Sequence, residues 1–295
     1  MKRVLRIAGI SAGVLLLAIA GLYFYADRHL KTELARTYVV PDISISHDVS
    51  VADRALGEHI VQKRNGCIEC HGKDLAGKTI INDPAFGKIS CSNLTPFALA
   101  GMSDRALARA LRHGLRSDGT SLIFMPSYEY QNLSKSDVAA IIAYLRTIPS
   151  VEKPNTPIEI GPIGKILFAL GQLPVLTPAA MIHHETGFVA KPKEAPSKEF
   201  GIYLVNSACI GCHRKTLTGG PIVGGAPDWP PAAYIRFKGR SEWTKQTFFK
   251  TMQTGLSASS GKYLRIPMIE AVDKFNDTEL TAIWLYLSSL GRDAS

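Results

Sequence analysis

The chain has 295 residues, 46% of them hydrophobic and 20% charged, and its 34 Lys and Arg against 25 Asp and Glu leave a net charge of +9. That length suggests two domains at roughly 100–200 residues each, and the ordinary apolar content excludes disorder over most of it. A basic chain can bind nucleic acid, an anionic membrane or an acidic protein face, but there is no basic block and no recognition-helix or zinc-finger spacing, which argues against nucleic acid.

Lys2, Arg3 and Arg6 precede an uncharged run from Ile7 to Ala26, which ends at Asp27 and Arg28. Twenty helical residues rise about 30 Å, the depth of a bilayer's hydrocarbon core. The leading positive charges place that end in the cytoplasm and the bulk of the chain outside. Residues 1–30 are therefore expected to form a membrane anchor or uncleaved signal. The competing reading is a leader cleaved after the small-x-small site Ala18-Ile19-Ala20, although Gly21-Leu22-Tyr23-Phe24-Tyr25 carries the apolar run past it. Either reading exports the body of the chain.

After this segment the chain says nearly the same thing twice. Gly57-Glu58-His59-Ile60-Val61 and Gly201-Ile202-Tyr203-Leu204-Val205 open two helical patterns. Cys67-Ile68-Glu69-Cys70-His71 and Cys209-Ile210-Gly211-Cys212-His213 follow, each with a Gly six residues on, Gly77 and Gly219. A second helical pattern ends at Gly114 in one copy and Gly255 in the other, and each copy then reaches a methionine, Met125 or Met268. Each closes with an amphipathic helix, marked by Val138, Ile141, Ile142 and Leu145 or by Leu280, Ile283, Trp284 and Leu287. Ser134-x-x-Asp137 and Asn276-x-x-Glu279 are capping-box starts for these helices. The offset stays near 142 from helix to helix, which points to an internal duplication. The copies are bounded at 48–149 and 198–292. Residues 150–197 form a Pro-rich linker with one short helix between proline stops, expected to pack across both domains.

Cys-x-x-Cys-His is the attachment pattern of c-type haem. One turn of distorted helix sets two thiols under the porphyrin vinyl groups, and the adjacent His points its imidazole at the iron. The residues that carry this are Cys67, Cys70, Cys209 and Cys212 for covalent attachment, and His71 and His213 as proximal ligands. A thioredoxin-like pair would need a βαβ context, and a zinc site would need two further ligands at finger spacing. Two covalently bound haem c groups are expected.

Met125 and Met268 lie 58 and 59 residues beyond the first cysteine of their copies, in a loop before the closing helix. Both are candidate distal ligands, since a thioether favours reduced iron. His113 is the alternative in the first copy, but its counterpart is Thr254. Met102 and Met252 read as core methionines, and His183 and His184 as ordinary polar residues of the linker. Cys91, with Ala232 as counterpart, reads as a small buried hydrophobe. Ligation of iron by Cys91 is the competing reading and would mark a catalytic haem.

From about residue 50 onward the chain resembles the exported multi-haem c-type cytochromes that include cytochrome subunits of alcohol and gluconate dehydrogenases. The resemblance rests on the two Cys-x-x-Cys-His motifs, Ser92-Asn93-Leu94-Thr95-Pro96, Met125-Pro126, Trp229-Pro230-Pro231-Ala232 and Ala169-Leu170-Gly171-Gln172-Leu173-Pro174-Val175-Leu176. Those subunits typically carry three haems, whereas this chain has two motifs. The second copy has Tyr234-Ile235-Arg236 where the first has Asn93-Leu94-Thr95, which questions the equivalence of the two pockets. The resemblance implies an all-α fold of two tandem class I cytochrome c-like domains behind a single transmembrane helix, with the haem domains in the periplasm. It implies one-electron transfer between a dehydrogenase or quinol-oxidising complex and a downstream cytochrome or terminal oxidase. With both axial positions filled the chain is a carrier and not itself a catalyst. A two-haem peroxidase or sulfur-compound oxidase is the alternative.

Overall fold

The computed structural model describes residues 2–47, 50–225, 228–265, 268 and 272–291, and for Ala52 the backbone alone. The last residue assigned to the second copy, Arg292, lies outside that set, as does Pro267. The chain opens with α1 (Lys2–Ala35). The first copy follows with α2 (Val51–His59), a π-helical turn at Ile60–Arg64, α3 (Cys67–His71), β1 (Thr79–Asp83), β2 (Gly87–Ser90), α4 (Pro96–Leu99), α5 (Asp104–His113), α6 (Ser127–Tyr130) and α7 (Lys135–Thr147). The linker holds β3 (Glu159–Ile160), α8 (Pro162–Ala169) and two short 3-10 turns at Pro174–Leu176 and Pro178–Met181. The second copy has α9 (Lys198–Ala208), α10 (Ile210–His213), α11 (Lys245–Thr254) and α12 (Asp277–Leu287).

Each copy is built on one crossing of its first and last long helices. α2 meets α7 at Gly57, where an added Cβ would lie 2.0 Å from the Ala140 carbonyl oxygen and 3.0 Å from Tyr144 Cβ. α9 meets α12 at Gly201, where a Cβ would lie 2.0 Å from the Ala282 oxygen and 3.0 Å from Tyr286 Cβ. Only a residue without a side chain lets two backbones approach this closely. The apolar stripes that the crossings bury form two separate cores. One gathers Ile60, Val61, Leu133, Val138 and Ile142; the other gathers Phe200, Leu204, Phe237, Leu280 and Ile283.

Caps fix where these helices begin. Asn276 and Glu279 close a full capping box, with Glu279 N donating to Asn276 Oδ1 and Asn276 N to Glu279 Oε2. The box expected at Ser134-x-x-Asp137 forms only by half. Asp137 N donates to Ser134 Oγ at 3.1 Å, but Ser134 N donates instead to Tyr203 Oη at 3.0 Å. The Asp137 carboxylate is engaged by Arg64, Lys191 and Tyr203. A buried charge recruits every partner it can reach, and here that overrides the local cap.

The fold is mostly helical, and the strands are a departure from the all-α expectation. β1, β2 and β3 form a small antiparallel sheet in that order. The Asp83 carboxylate caps the hairpin by accepting from Ala85 N and Phe86 N. Gly87, at φ 125°, lets β3 come in, since a Cβ there would lie 2.1 Å from the Glu159 oxygen.

α1 is one continuous helix of 34 residues, longer than the expected segment 1–30. It is long and apolar enough to cross a membrane, and its apolar window is fully exposed. From Ala26 onward it belongs to the body: Ala26 and Leu30 are buried, and Leu30 joins Phe168, Leu173 and Leu176 in a third small core. α8 packs on α1, where Lys165 Nζ meets Asp27 Oδ1 at 2.6 Å. The linker helix thus braces α1 instead of spanning both copies. A later part of the linker reaches the second copy, with Val175 packed against Gly224.

Candidate functional site

The two Cys-x-x-Cys-His segments fold into the same turn. Each helical stretch ends in a residue of positive φ, Gly72 at 85° and Arg214 at 64°. Leu75 and Leu217 then take left-handed conformations at φ 58° and 60°. A leucine pays for that geometry with strain, and both are buried, at 1% and 2% exposure. Gly77 N closes back onto the His71 oxygen at 2.8 Å, and Gly219 N onto the His213 oxygen at 3.2 Å. The next segment is held alike in both, by Leu94 N to the Leu75 oxygen and Ile235 N to the Leu217 oxygen.

This turn orients the histidines. His71 Nδ1 lies 2.7 Å from the Ser92 carbonyl oxygen, and His213 Nδ1 lies 2.8 Å from the Ala233 oxygen. A carbonyl only accepts, so Nδ1 carries the proton and Nε2 keeps its lone pair, the arrangement of a metal-ligating imidazole. Burial holds both rings below the ordinary histidine pKa, against the carbonyl contacts, and so favours the neutral form.

Each histidine opens onto a cleft. The first, of about 950 Å³, is lined by Cys67, Cys70, His71 and Met125 together with apolar side chains such as Leu94, Phe124 and Ile141. The second motif faces two adjoining clefts of about 890 and 1090 Å³, both of which include Cys209, His213 and Met268. Cys212 lines the larger one. All eight residues expected from the sequence therefore fall on two cavities, four to each. Burial pushes the Cys67 thiol up to about 12 and the Cys212 thiol up to about 11, and Cys209 well above its ordinary value. Such thiols stay protonated and unreactive toward adventitious oxidants.

Other residues were not anticipated at these cavities. Arg116 brings a cation to the first, with its guanidinium bonded to Ser121 and Thr120. Met252 packs on the second core and also lines both second clefts beside Met268. Its position inside α11 gave no local sign of this. Tyr130 lines the first cavity, and its neighbour Glu129 reaches Gly211 in the second motif. Cys91 is half-buried, lines the first cavity and hydrogen-bonds Cys70, not His71. His113 is buried and pairs with His184 at 3.1 Å between the Nδ1 atoms. Burial and the neighbouring His184 push it down to about 4.

Residues 52–145 match the protein-family model described as cytochrome c oxidase, cbb3-type, subunit III. This segment is a cytochrome c domain. Roughly four fifths of the chain is similar to cytochrome subunits of dehydrogenases. It is 29% identical over 252 residues to the fructose dehydrogenase cytochrome subunit of Gluconobacter japonicus, covering 76% of this chain and 50% of that protein. It is 28% identical over 270 residues to the cytochrome c subunit of the quinone alcohol dehydrogenase of Komagataeibacter europaeus, covering 81% and 57%. A diheme cytochrome c-type protein of Cereibacter sphaeroides is 25% identical over 185 residues, covering 53% and 59%. The chain spans between a fifth and rather more than half of the length of the first curated relatives it matches.

A cytochrome c domain carries covalently bound haem c. The residues of the first cavity fit that group: two thiols outside any disulfide and an imidazole whose Nδ1 is committed to a carbonyl, at one end of an apolar cleft. The names of these relatives describe cytochrome subunits of dehydrogenases.

Proposed function

We propose that the chain is a membrane-anchored periplasmic diheme cytochrome c, made of two tandem cytochrome c domains. It passes single electrons between a dehydrogenase or quinol-oxidising complex and a downstream cytochrome or terminal oxidase. The observation that carries the reading is the repeated His–carbonyl contact, at 2.7 and 2.8 Å, each beside a pair of thiols and a methionine-lined cavity. When bound, haem supplies the one-electron iron couple. Cys67 and Cys70 hold the first group through thioethers, and Cys209 and Cys212 hold the second. His71 and His213 present Nε2 to the iron because Nδ1 is committed to a backbone carbonyl. Met125 and Met268, which line the same clefts as the histidines, would each supply a thioether, a ligand that favours the reduced state. The walls of both sites are mainly apolar. α1 tethers the body to the inner membrane, and the dehydrogenase names of the relatives point to the class of donor.

The test is covalent haem content. The chain, exported in a host competent for cytochrome c maturation, is denatured, extracted with acid–acetone and weighed by mass spectrometry. Two retained haem masses are expected. One, with loss of the remainder in Cys67→Ala but not in Cys209→Ala, would reduce the second copy to a scaffold.

A further inference from the structure

Glu129 stands on α6, four residues beyond Met125, and reaches over the boundary between the two copies. Its Oε1 accepts a hydrogen bond of 3.2 Å from Gly211 N, inside Cys209-Ile210-Gly211-Cys212. A Cβ on Gly211 would lie 2.4 Å from Glu129 Oε2, so the carboxylate rests directly on the backbone of the second motif. Asn132 fixes the same helix to the second copy, donating to the Glu129 and Asn206 carbonyl oxygens at 3.1 and 3.0 Å. Among the described residues, no carboxylate of the second copy is hydrogen-bonded to the first motif. Its own carboxylate at the matching position, Glu69, is ion-paired with Lys274 at 2.8 Å.

The groups around Glu129 leave its charge uncompensated. On α6 it is flanked by Tyr128 and Tyr130, and across the boundary it faces Cys209, just before α10, and Cys212 on that helix. On α5, the Arg112 guanidinium donates to the carbonyls of Gln131, Thr186 and Gly187, and His113 pairs with His184. On α9, Tyr203 donates to Asp137. The turn Pro178–Met181, which also packs on α6, has no titratable side chain. Among the described residues no cation is ion-paired with Glu129. Burial pushes its carboxyl up to about 7, with the Gly211 N–H pulling the other way. Between the two motifs, Glu129 raises the Cys209 and Cys212 thiols, and it also raises Tyr130 on the wall of the first cavity, whereas Cys67 faces Lys274.

We propose that Glu129 is a proton acceptor tied to electron arrival at the second motif. As one electron comes in from the redox partner, Glu129 takes one proton from water; when the electron leaves, it gives that proton back. The site's net charge is unchanged over the cycle. The physical cause is repulsion between like charges in a poorly solvated boundary, where the group able to become neutral does so. The sign follows. Below the titration window Glu129 is neutral and reduction of the second site is easier; above it Glu129 is ionised and reduction is harder. The inference rests on the two-haem electron-transfer reading.

The experiment is potentiometry of the full-length, two-haem chain in detergent, from one pH unit below about 7 to one above. The wave shifted by Met268→Ala identifies the second site. Its midpoint is expected to fall as pH rises while the first site moves less. Glu129→Gln should flatten that dependence with both haems still attached by mass. In case the variant fails to load haem, redox-difference infrared spectroscopy of the wild type should show a protonated carboxyl C=O band appearing on reduction, and Glu129→Asp should displace it. A pH-independent second midpoint in a two-haem protein, a slope that persists in Glu129→Gln, or no carboxyl band would overturn the role of Glu129 alone. Absence of the second haem mass would overturn the two-haem reading itself.

Discussion

Asn65 and Ser207 stand two residues before the first cysteine of their respective motifs, and they touch: Asn65 Nδ2 donates to the Ser207 carbonyl oxygen at 2.7 Å. Equivalent positions meet each other only when two similar units face one another about an approximate two-fold axis. The same face of each copy is therefore used for the contact, and it is the face from which both Cys-x-x-Cys-His motifs start. Around this point the boundary is polar and tightly paired. His59 Nε2 meets Glu279 Oε2 at 2.8 Å, Tyr203 Oη donates to Asp137 at 2.7 Å, and Arg64 bridges Asp137 and Glu279.

Arg64 is the pivot of that boundary, with no exposed side-chain surface, and Asp137 has none either. Removing one partner of a buried pair leaves the other uncompensated, which costs about 3–5 kcal/mol. Arg64→Ala is expected to lose that much in denaturant unfolding. The pH dependence has a definite sign. Burial works to raise the Asp137 pKa, but Arg64 and Lys191 prevail and hold it below the ordinary carboxylate value. A depressed folded-state pKa contributes stability that is present above the unfolded value of about 3.9 and is lost as pH falls through the folded one. Asp137→Asn should therefore remove part of the wild type's acid sensitivity below about pH 4. Equal acid slopes in the two proteins would show that Asp137 is not the group responsible.

The paired helix crossings predict matching responses in the two copies. Gly57→Ala and Gly201→Ala each drive a methyl to 2.0 Å from a helix carbonyl oxygen. Backbone cannot yield as a side chain can, so each should cost about 3 kcal/mol, the upper end of ordinary overpacking. Gly101, with nothing within 4 Å of an added Cβ, is the control, and Gly101→Ala should stay within about 0.5 kcal/mol. Thermal unfolding, with amide exchange of α2 and α7 against that of α9 and α12, reads each copy separately. Tolerance of either substitution would mean that the crossing is looser than it stands here.

The periodic features of this fold were legible in the sequence because their signals are local. The motif spacing, the closing-helix stripes and the Asn276-x-x-Glu279 box each need fewer than fifteen consecutive residues. The strands were not, since Thr79–Asp83 is five residues long and is stabilised by pairing with β2, which in turn pairs with β3 far along the chain. The half-formed box at Ser134 failed for a related reason: Tyr203, 69 residues away, occupies the backbone donor. Glu129 and Met252 were missed because both are placed by tertiary packing, the first against a motif 82 residues away and the second on a helix face that reads as ordinary core.

Lys165 and Asp27 join α8 to α1 at 2.6 Å, each less than a fifth exposed, and Lys165 also donates to Tyr23 Oη. This clamp sits where the apolar stretch of α1 ends and its buried stretch begins. Lys165→Ala should loosen the packing of α8 on α1. The loosening should appear as faster amide exchange in Pro162–Ala169, with α9 and α12 unchanged. Exchange unaltered in α8 would show that Leu30 and Phe168 alone hold it.

The methionines give the sharpest division between a carrier and a catalyst. Met125 and His71 line one cavity, and Met268 and His213 line the other. With both thioethers on iron, each oxidised haem is low-spin with a weak near-infrared sulfur-to-iron band. Met125→Ala should abolish that band for the first haem alone and lower its potential, since a soft ligand that favours reduced iron has gone. Met268→Ala should do the same to the second haem. Met252 makes the second case the more demanding, because it lines the same clefts as Met268. Met252→Ala should leave the band intact. If Met252→Ala removes it and Met268→Ala does not, the distal ligand of the second haem is Met252. A carrier should lose transfer rate in the ligand variants and bind small ligands such as peroxide only then. A wild type that already shows one high-spin or thiolate-ligated haem would instead support the peroxidase or oxidase reading, with Cys91, on the wall of the first cavity, as the first thiol to test.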